Sequence, residues 1–221
     1  MYLTDRLTWF VILGTLIGAR LGHVLFYDTA RYQKNPIEIL KIWEGGLASH
    51  GGAIGIIISL VIYIFFIRKR FPEIRFLILL DHIVVPTSLA AVFIRLGNFF
   101  NQEIIGTETD VPWAVVFGHP YDGSGVFPRH PVQLYEAACY LITFFVLSYL
   151  WIRKREVLKT GYLTGLFFVM IFLSRFFVEF YKVSQGGIVD DTFLQTGQLL
   201  SVPFILAGFW LMFRPKLSMR S

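Results

Sequence analysis

Long apolar runs separated by short polar stretches dominate this chain. Six of them approach the roughly 20 residues of helix that cross a hydrocarbon layer of about 30 Å: approximately Leu7 to Tyr27, Gly51 to Ile67, Leu77 to Ile94, Val132 to Ile152, Tyr162 to Tyr181 and Leu199 to Phe213. Each is apolar nearly all round, so helical periodicity adds little. Their number and spacing predict an all-α fold, a polytopic transmembrane helical bundle of about six spans. Residues 1–221 read as one integral membrane domain, with the loop region 98–131 forming a small extracytoplasmic subdomain. Within it, Pro112-Trp113-Ala-Val-Val-Phe117 suits a short strand or an interfacial anchor through Trp113. Gly123-Ser-Gly125 suits a turn, because a serine nucleophile would need a strand-to-helix elbow.

Composition agrees: 55% hydrophobic, 17% aromatic and 16% charged residues are too apolar for a soluble domain of 221 residues. The net charge of +5 has to be read by position. With a cytoplasmic N-terminus, the inner loops and ends hold twelve lysines and arginines and the outer regions five, namely Arg31, Lys34, Lys41, Arg129 and Lys182. The positive-inside rule therefore selects N-in, C-in. No aromatic RNA-binding pattern accompanies the basic residues, so nucleic acid is not an expected partner. Cys139 is the one cysteine and the five histidines lack zinc-type spacing, so neither a disulfide framework nor a metal site is expected, and no cofactor is implied.

Several charges lie inside the apolar runs. Arg175 is 13 residues into the fifth span, about 20 Å from its cytoplasmic end at ~1.5 Å per residue, and Arg20 is equally deep in the first. Such an arginine costs roughly 2.5–3.5 kcal/mol on insertion scales and normally faces protein or water with a partner. Glu179, one turn on, is the local candidate for Arg175. Asp81 and His82 lie near the cytoplasmic end of the third span, with Pro86 placed to kink it, and read as structural or as lining a polar cavity. Arg20, Asp81, His82, Arg175 and Glu179 together would suit a transporter or channel path. Against that, the polar clusters gather at one face, and no paired inverted halves are visible.

At that outer face, His50 begins the second span, Arg95 ends the third, and Gln133, Tyr135 and Glu136 open the fourth. The run Arg95-Leu-Gly-Asn98-Phe-Phe-Asn101-Gln-Glu103-Ile-Ile-Gly106 joins an arginine, two asparagines, a glutamate and two glycines where hydrocarbon meets headgroup. A guanidinium there can bind a phosphate, amides can hold polar substrate oxygens, and glycines admit a lipid closely. The pattern points to an anionic-lipid site. His50 on position alone is a capping or solvated residue as readily as a catalyst, and Gly45, Gly46, Gly51, Gly52 and Gly55 around it suit close ligand approach or tight helix packing.

The same run resembles the signature segment of the bacterial prolipoprotein diacylglyceryl transferases. Glu44-Gly-Gly-Leu-Ala-Ser-His50-Gly-Gly resembles that family's histidine-glycine-glycine segment, and Pro128-Arg129-His130-Pro131-Val-Gln133-Leu-Tyr135-Glu136 its arginine-histidine-proline segment. The resemblance implies transfer of the diacylglyceryl group of phosphatidylglycerol to the lipobox cysteine thiol at a prolipoprotein signal peptide, in a bacterial cytoplasmic (inner) membrane, with the site toward the outer leaflet. It implies catalytic roles for His50, Arg95 and Arg175, and substrate binding by Arg95, Asn98, Asn101, Glu103, Gly106, Gln133 and Glu136. Membrane lipids are further implied partners, and a lipid-binding protein without chemistry is the remaining alternative. A thiol of pKa ~8.5 must lose its proton, a task suited to a histidine of pKa ~6.5. Either His50 or a lipid phosphate oxygen is placed to receive it. Family members usually carry a further hydrophobic helix, with a functional tyrosine, before the segment matching Leu7 to Tyr27. The expectation is therefore little transfer by this chain alone. The long first apolar run has no small-residue cleavage pattern after it, so no cleavable signal peptide is expected.

Overall fold

The computed structural model describes residues 2–26, 28–183 and 195–215. All six expected segments are helical: α1 Tyr2–Phe26, α3 Ser49–Ile67, α4 Phe76–Phe100, α5 Val132–Lys154, α6 Tyr162–Val178 and α7 Thr196–Phe213. Leu3–Phe26, Phe76–Phe100, Val132–Lys154 and Tyr162–Tyr181 are long and apolar enough to cross a membrane, while Gly51–Ile67 and Gly197–Phe213 are shorter apolar helices. The protein is an all-α membrane bundle. Its chain divides into two compact units, Met1–Leu79 and Leu80–Ser221.

In the first unit, Gly14, Gly18 and Gly22 make a small-residue stripe on α1 that meets Gly51, Gly55 and Ser59 on α3. In hydrocarbon, where lipid tails are as apolar as leucine, close backbone approach supplies the packing attraction. A side chain at Gly18 would strike the carbonyl of Gly51, and one at Gly55 the carbonyl of Gly14. Gly51 and Gly55, which follow His50, are thus accounted for by helix packing, whereas a side chain at Gly52 would meet Ala19 and Thr15 at ordinary contact distance.

Arg20 is buried, and its place settles the question its depth raised. Nε donates to Ile39 O at 2.8 Å, Nη1 to Gly45 O at 2.6 Å and Gly46 O at 3.1 Å, and Nη2 to Lys41 O at 3.1 Å and to Glu38 O. The guanidinium also lies 5.0 Å from the Tyr32 ring centroid. Five carbonyl contacts from one side chain clasp the irregular stretch that follows α2 (Thr29–Lys34). That stretch runs through short 3-10 turns at Pro36–Leu40 and Ile42–Glu44. Arg20 is a structural clasp. Gly46 sits at φ 74°, and a side chain there would meet Arg20 Nη1 and the His23 ring.

In the second unit, Val92, Ala137, Tyr140 and Ile171 join α4, α5 and α6 in one buried cluster, and Val84, Leu147 and Leu163 in another. The helices α6 and α7 approach closely at Gly165 and Gly208, each of which faces the other's carbonyl. Asp81 on α4 accepts hydrogen bonds from Gly161 N at 2.6 Å, Thr164 N at 2.8 Å and Thr164 Oγ1 at 2.7 Å. It thereby caps the first turn of α6 from a neighbouring helix, where a carboxylate satisfies amides that have no helical partner. His82 packs its ring 4.5 Å from that of Trp151. Asp81 holds a helix end and Arg20 a loop, so two members of the alternative transporter path have structural work.

Between α4 and α5, β1 (Val115–Val116) pairs antiparallel with β2 (Pro128–Arg129), so the apolar run at 112–117 does contain a strand. Trp113 is exposed and donates from Nε1 to Tyr135 Oη at 2.7 Å. Ser124 lies in a turn in which its amide donates to Asp122 Oδ1 at 3.0 Å. Hydrogen bonds from Ser124 hold the Asp122 carboxyl below its ordinary pKa.

Candidate functional site

The last turns of α4 present Arg95 and Asn98, after which the backbone leaves the helix in a strained path. Gln102 (φ 56°) and Ile104 (φ 54°) both occupy the left-handed region and bracket Glu103. For a β-branched isoleucine this is a true outlier, costing on the order of 1–3 kcal/mol, and such strain concentrates at functional sites. The surroundings hold it in place. Glu103 N donates to Asn98 O at 2.9 Å, and buried Gln133, from the first turn of α5, donates Nε2 to Glu103 O at 2.7 Å.

Side chains close the same loop. Asn98 Nδ2 donates to Glu103 Oε2 at 2.8 Å, Asn101 Nδ2 to Glu103 Oε1 at 3.4 Å, and Arg95 Nη1 to Asn98 Oδ1 at 3.1 Å. Gly106 lies against His130, where any side chain would collide with the His130 carbonyl. Its own carbonyl accepts from buried Arg129 Nη1 at 3.2 Å. The loop is tied to the end of α6 as well, through Thr107 N to Tyr181 O at 2.8 Å and a backbone bridge between Gly106 and Lys182. Arg95, Asn98, Asn101, Glu103, Gly106 and Gln133 therefore form one connected constellation.

Beneath it runs a buried chain of charges. Glu136 is 0% exposed, with Oε2 2.8 Å from Arg95 Nε and Oε1 3.0 Å from Lys182 Nζ. The Arg95 approach is an ion contact rather than an aligned hydrogen bond. Lys182 Nζ reaches Glu179 Oε2 at 3.0 Å too, and Tyr140 Oη donates to Glu136 Oε1 at 3.4 Å. Glu179, the expected local partner of Arg175, is thus turned to Lys182. The physical reason is that α6 passes into a 3-10 turn at Glu179–Tyr181, and the Glu179 carboxylate lies against Gly197 in the first turn of α7. Arg175 is half-buried and makes no side-chain hydrogen bond or ion pair with the described residues.

His50 belongs to the first unit, in the first turn of α3, and its side chain lies outside the described residues, as does that of Glu44. His130 accompanies the constellation with Nδ1 3.1 Å from Tyr135 Oη and its ring 4.9 Å from that of Tyr181. Neither Lys182 nor Arg129 is among the expected site residues: Lys182 counts there only as outer-side charge, and Arg129 as outer-side charge and as part of the arginine-histidine-proline segment. The available signal was the i, i+3 spacing of Glu179 and Lys182 at the end of a span. Among the described residues, no group of histidine, cysteine, aspartate or glutamate side chains is arranged to hold a metal ion. Chemically, the constellation offers the Arg95 guanidinium and amides held by a fixed carboxylate. This suits an anion with several oxygens.

A family model described as prolipoprotein diacylglyceryl transferase matches residues 1–214. The chain is 53% identical over 213 residues to a phosphatidylglycerol–prolipoprotein diacylglyceryl transferase of Protochlamydia amoebophila, covering 96% of this chain and 57% of that protein. It is 47% identical over 208 residues to the protein of the same name from Tolumonas auensis, covering 94% of this chain and 77% of that one. The counterpart from Porphyromonas gingivalis is 44% identical over 220 residues, with 95% and 76% covered. The chain thus spans little more than half the length of the first of these relatives and about three quarters of the others.

Proposed function

Because the chain belongs to the prolipoprotein diacylglyceryl transferase family, we propose that it transfers the diacylglyceryl group of phosphatidylglycerol to the lipobox cysteine of prolipoproteins. The cysteine sulfur attacks the glyceryl carbon that carries the phosphate. A carbon–sulfur bond forms, the carbon–oxygen bond breaks, and glycerol phosphate leaves with the electron pair. Arg95 and Arg175 hold the phosphate and stabilise its growing charge. Asn98 and Asn101, oriented by Glu103, hold the remaining headgroup oxygens, and Gln133 and Glu136 fix the frame. His50 receives the thiol proton in this reading, and a lipid phosphate oxygen is the competing acceptor. The observation that best supports the proposal is the buried Arg95 guanidinium, anchored by Glu136 on one side and Asn98 on the other, next to the amides that Glu103 orients.

The excess of basic residues in the inner loops supports a bacterial cytoplasmic membrane protein with this site toward the outer leaflet. A cysteine at Ser124 in intact cells should then react with a membrane-impermeant thiol reagent, and labelling only after lysis would reverse the orientation. Reconstitution with phosphatidylglycerol and a lipobox peptide should give a thioether-linked product from the form with any upstream reading frame restored, with the chain alone run beside it. No product from either form rejects the transferase reading. In the active form, His50→Ala should lower transfer by about 10²–10⁴-fold if His50 is the base. Unchanged transfer would assign the proton to the lipid phosphate.

A further inference from the structure

Lys182 is 7% exposed, follows the last turn of α6, and touches one oxygen of each of two carboxylates, Glu136 and Glu179, at 3.0 Å. A lysine ammonium is a compact point charge with three donors, which lets it serve both acids at once. Its backbone is bridged to Gly106, so the charge is held in register with the loop that carries Asn98, Asn101 and Glu103. Two consequences follow from this geometry.

First, Glu136 is divided between two cations: Oε1 goes to Lys182 and only Oε2 to Arg95 Nε. Without Lys182, both oxygens of this fully buried acid would have Arg95 as their only cation, and the fork would close on an internal carboxylate instead of an external anion. Second, Arg95 and Lys182 are matched by Glu136 and Glu179, and the neighbouring Glu103 carboxylate, held by Asn98 and Asn101, adds a further negative charge. Removing the lysine would leave a surplus negative charge in a low-dielectric site, where it acts strongly on an incoming anion.

We propose that Lys182 is a positioning residue that balances the buried carboxylates so that Arg95 and Arg175 remain available to an anionic lipid headgroup. This rests on the transferase reading for the identity of the lipid. The test measures the mole fraction of phosphatidylglycerol in mixed micelles that gives half-maximal thermal stabilisation of the full chain, beside phosphatidylcholine of the same acyl chains. Lys182→Met should raise that fraction about tenfold, Glu179→Gln should lower it about threefold, and the double variant should return to within about twofold of the parent. Lys182→Arg, which keeps the charge, should stay within about threefold of the parent. Phosphatidylcholine should show none of these shifts.

A double variant as weak as Lys182→Met, or parallel shifts with phosphatidylcholine, would overturn the proposal and leave Lys182 as a tie between α6 and the loop. Should Lys182→Met not fold, Glu179→Gln and the double variant decide by the same criterion. Turnover of the lipobox peptide in the same micelles, by the form with any upstream reading frame restored, separates the two readings. The charge pattern without any thioether product rejects the transferase reading and keeps the role of Lys182. Product with a flat charge pattern does the reverse.

Discussion

Arg95→Lys is expected to lower kcat/KM for diacylglyceryl transfer about a hundredfold while leaving the melting temperature within a few degrees of the parent. The guanidinium does two things at once: Nε contacts Glu136 Oε2 at 2.8 Å and Nη1 donates to Asn98 Oδ1 at 3.1 Å. A lysine keeps the neutralising charge for buried Glu136, which is why stability should change little. It cannot reach both partners or present a planar fork to a phosphate. Asn98 would then lose the donor that fixes its carbonyl, and with it the orientation of the amide that holds Glu103. Arg175→Lys makes the internal comparison. Because Arg175 has no bond to the described residues, its loss should appear almost wholly in activity. Transfer by Arg95→Lys within about threefold of the parent would show that charge alone suffices and would reject the bidentate role.

What was legible in the sequence follows from what hydrocarbon demands. A span has to be apolar and satisfy its own backbone, so every run selected by hydropathy is a helix, even α3 and α7, which are shorter than a comfortable span. The Arg95 to Gly106 run was legible because polar residues at the end of such a helix have few other uses. Hydropathy cannot register the clasp of Arg20, since the carbonyls it binds come from residues 38 to 46 and only the folded loop brings them together. Lys182 was hidden for a related reason. Sequence spacing offers Glu179 to both Arg175 and Lys182, and the change from α to 3-10 geometry at Glu179 decides between them. The strained pair Gln102 and Ile104 carries no sequence signal at all, because neither residue type favours the left-handed region. The role of each glycine is likewise set by the fold around it. Those at Gly18, Gly51 and Gly55 let two helices meet, whereas Gly106 lets a loop pass His130, and a sequence alone records only that both are glycine.

Glu136→Ala should be the most destabilising single change in this constellation, by about 3–5 kcal/mol, because among the described residues it leaves buried Arg95 without a carboxylate contact and Lys182 with Glu179 alone. For a chain of this size that corresponds to a fall in melting temperature of roughly 6–20 °C in detergent. Transfer should be lost even at temperatures where the variant stays folded, because Arg95 no longer has its anchor. A second variant separates stability from function. Burying opposite charges repays little of their desolvation, so replacing such a group together by apolar residues of similar volume is often neutral or stabilising. Arg95→Met, Glu136→Leu and Lys182→Met combined, with Glu179→Gln to remove the remaining carboxylate, should therefore melt within a few degrees of the parent or above it, and should show no transfer. That pair of outcomes would mean the charges are kept for the anion they bind rather than for the fold they sit in. If the combined variant is instead as unstable as Glu136→Ala alone, the ion network is structural, and Arg175 is left as the guanidinium available to a phosphate.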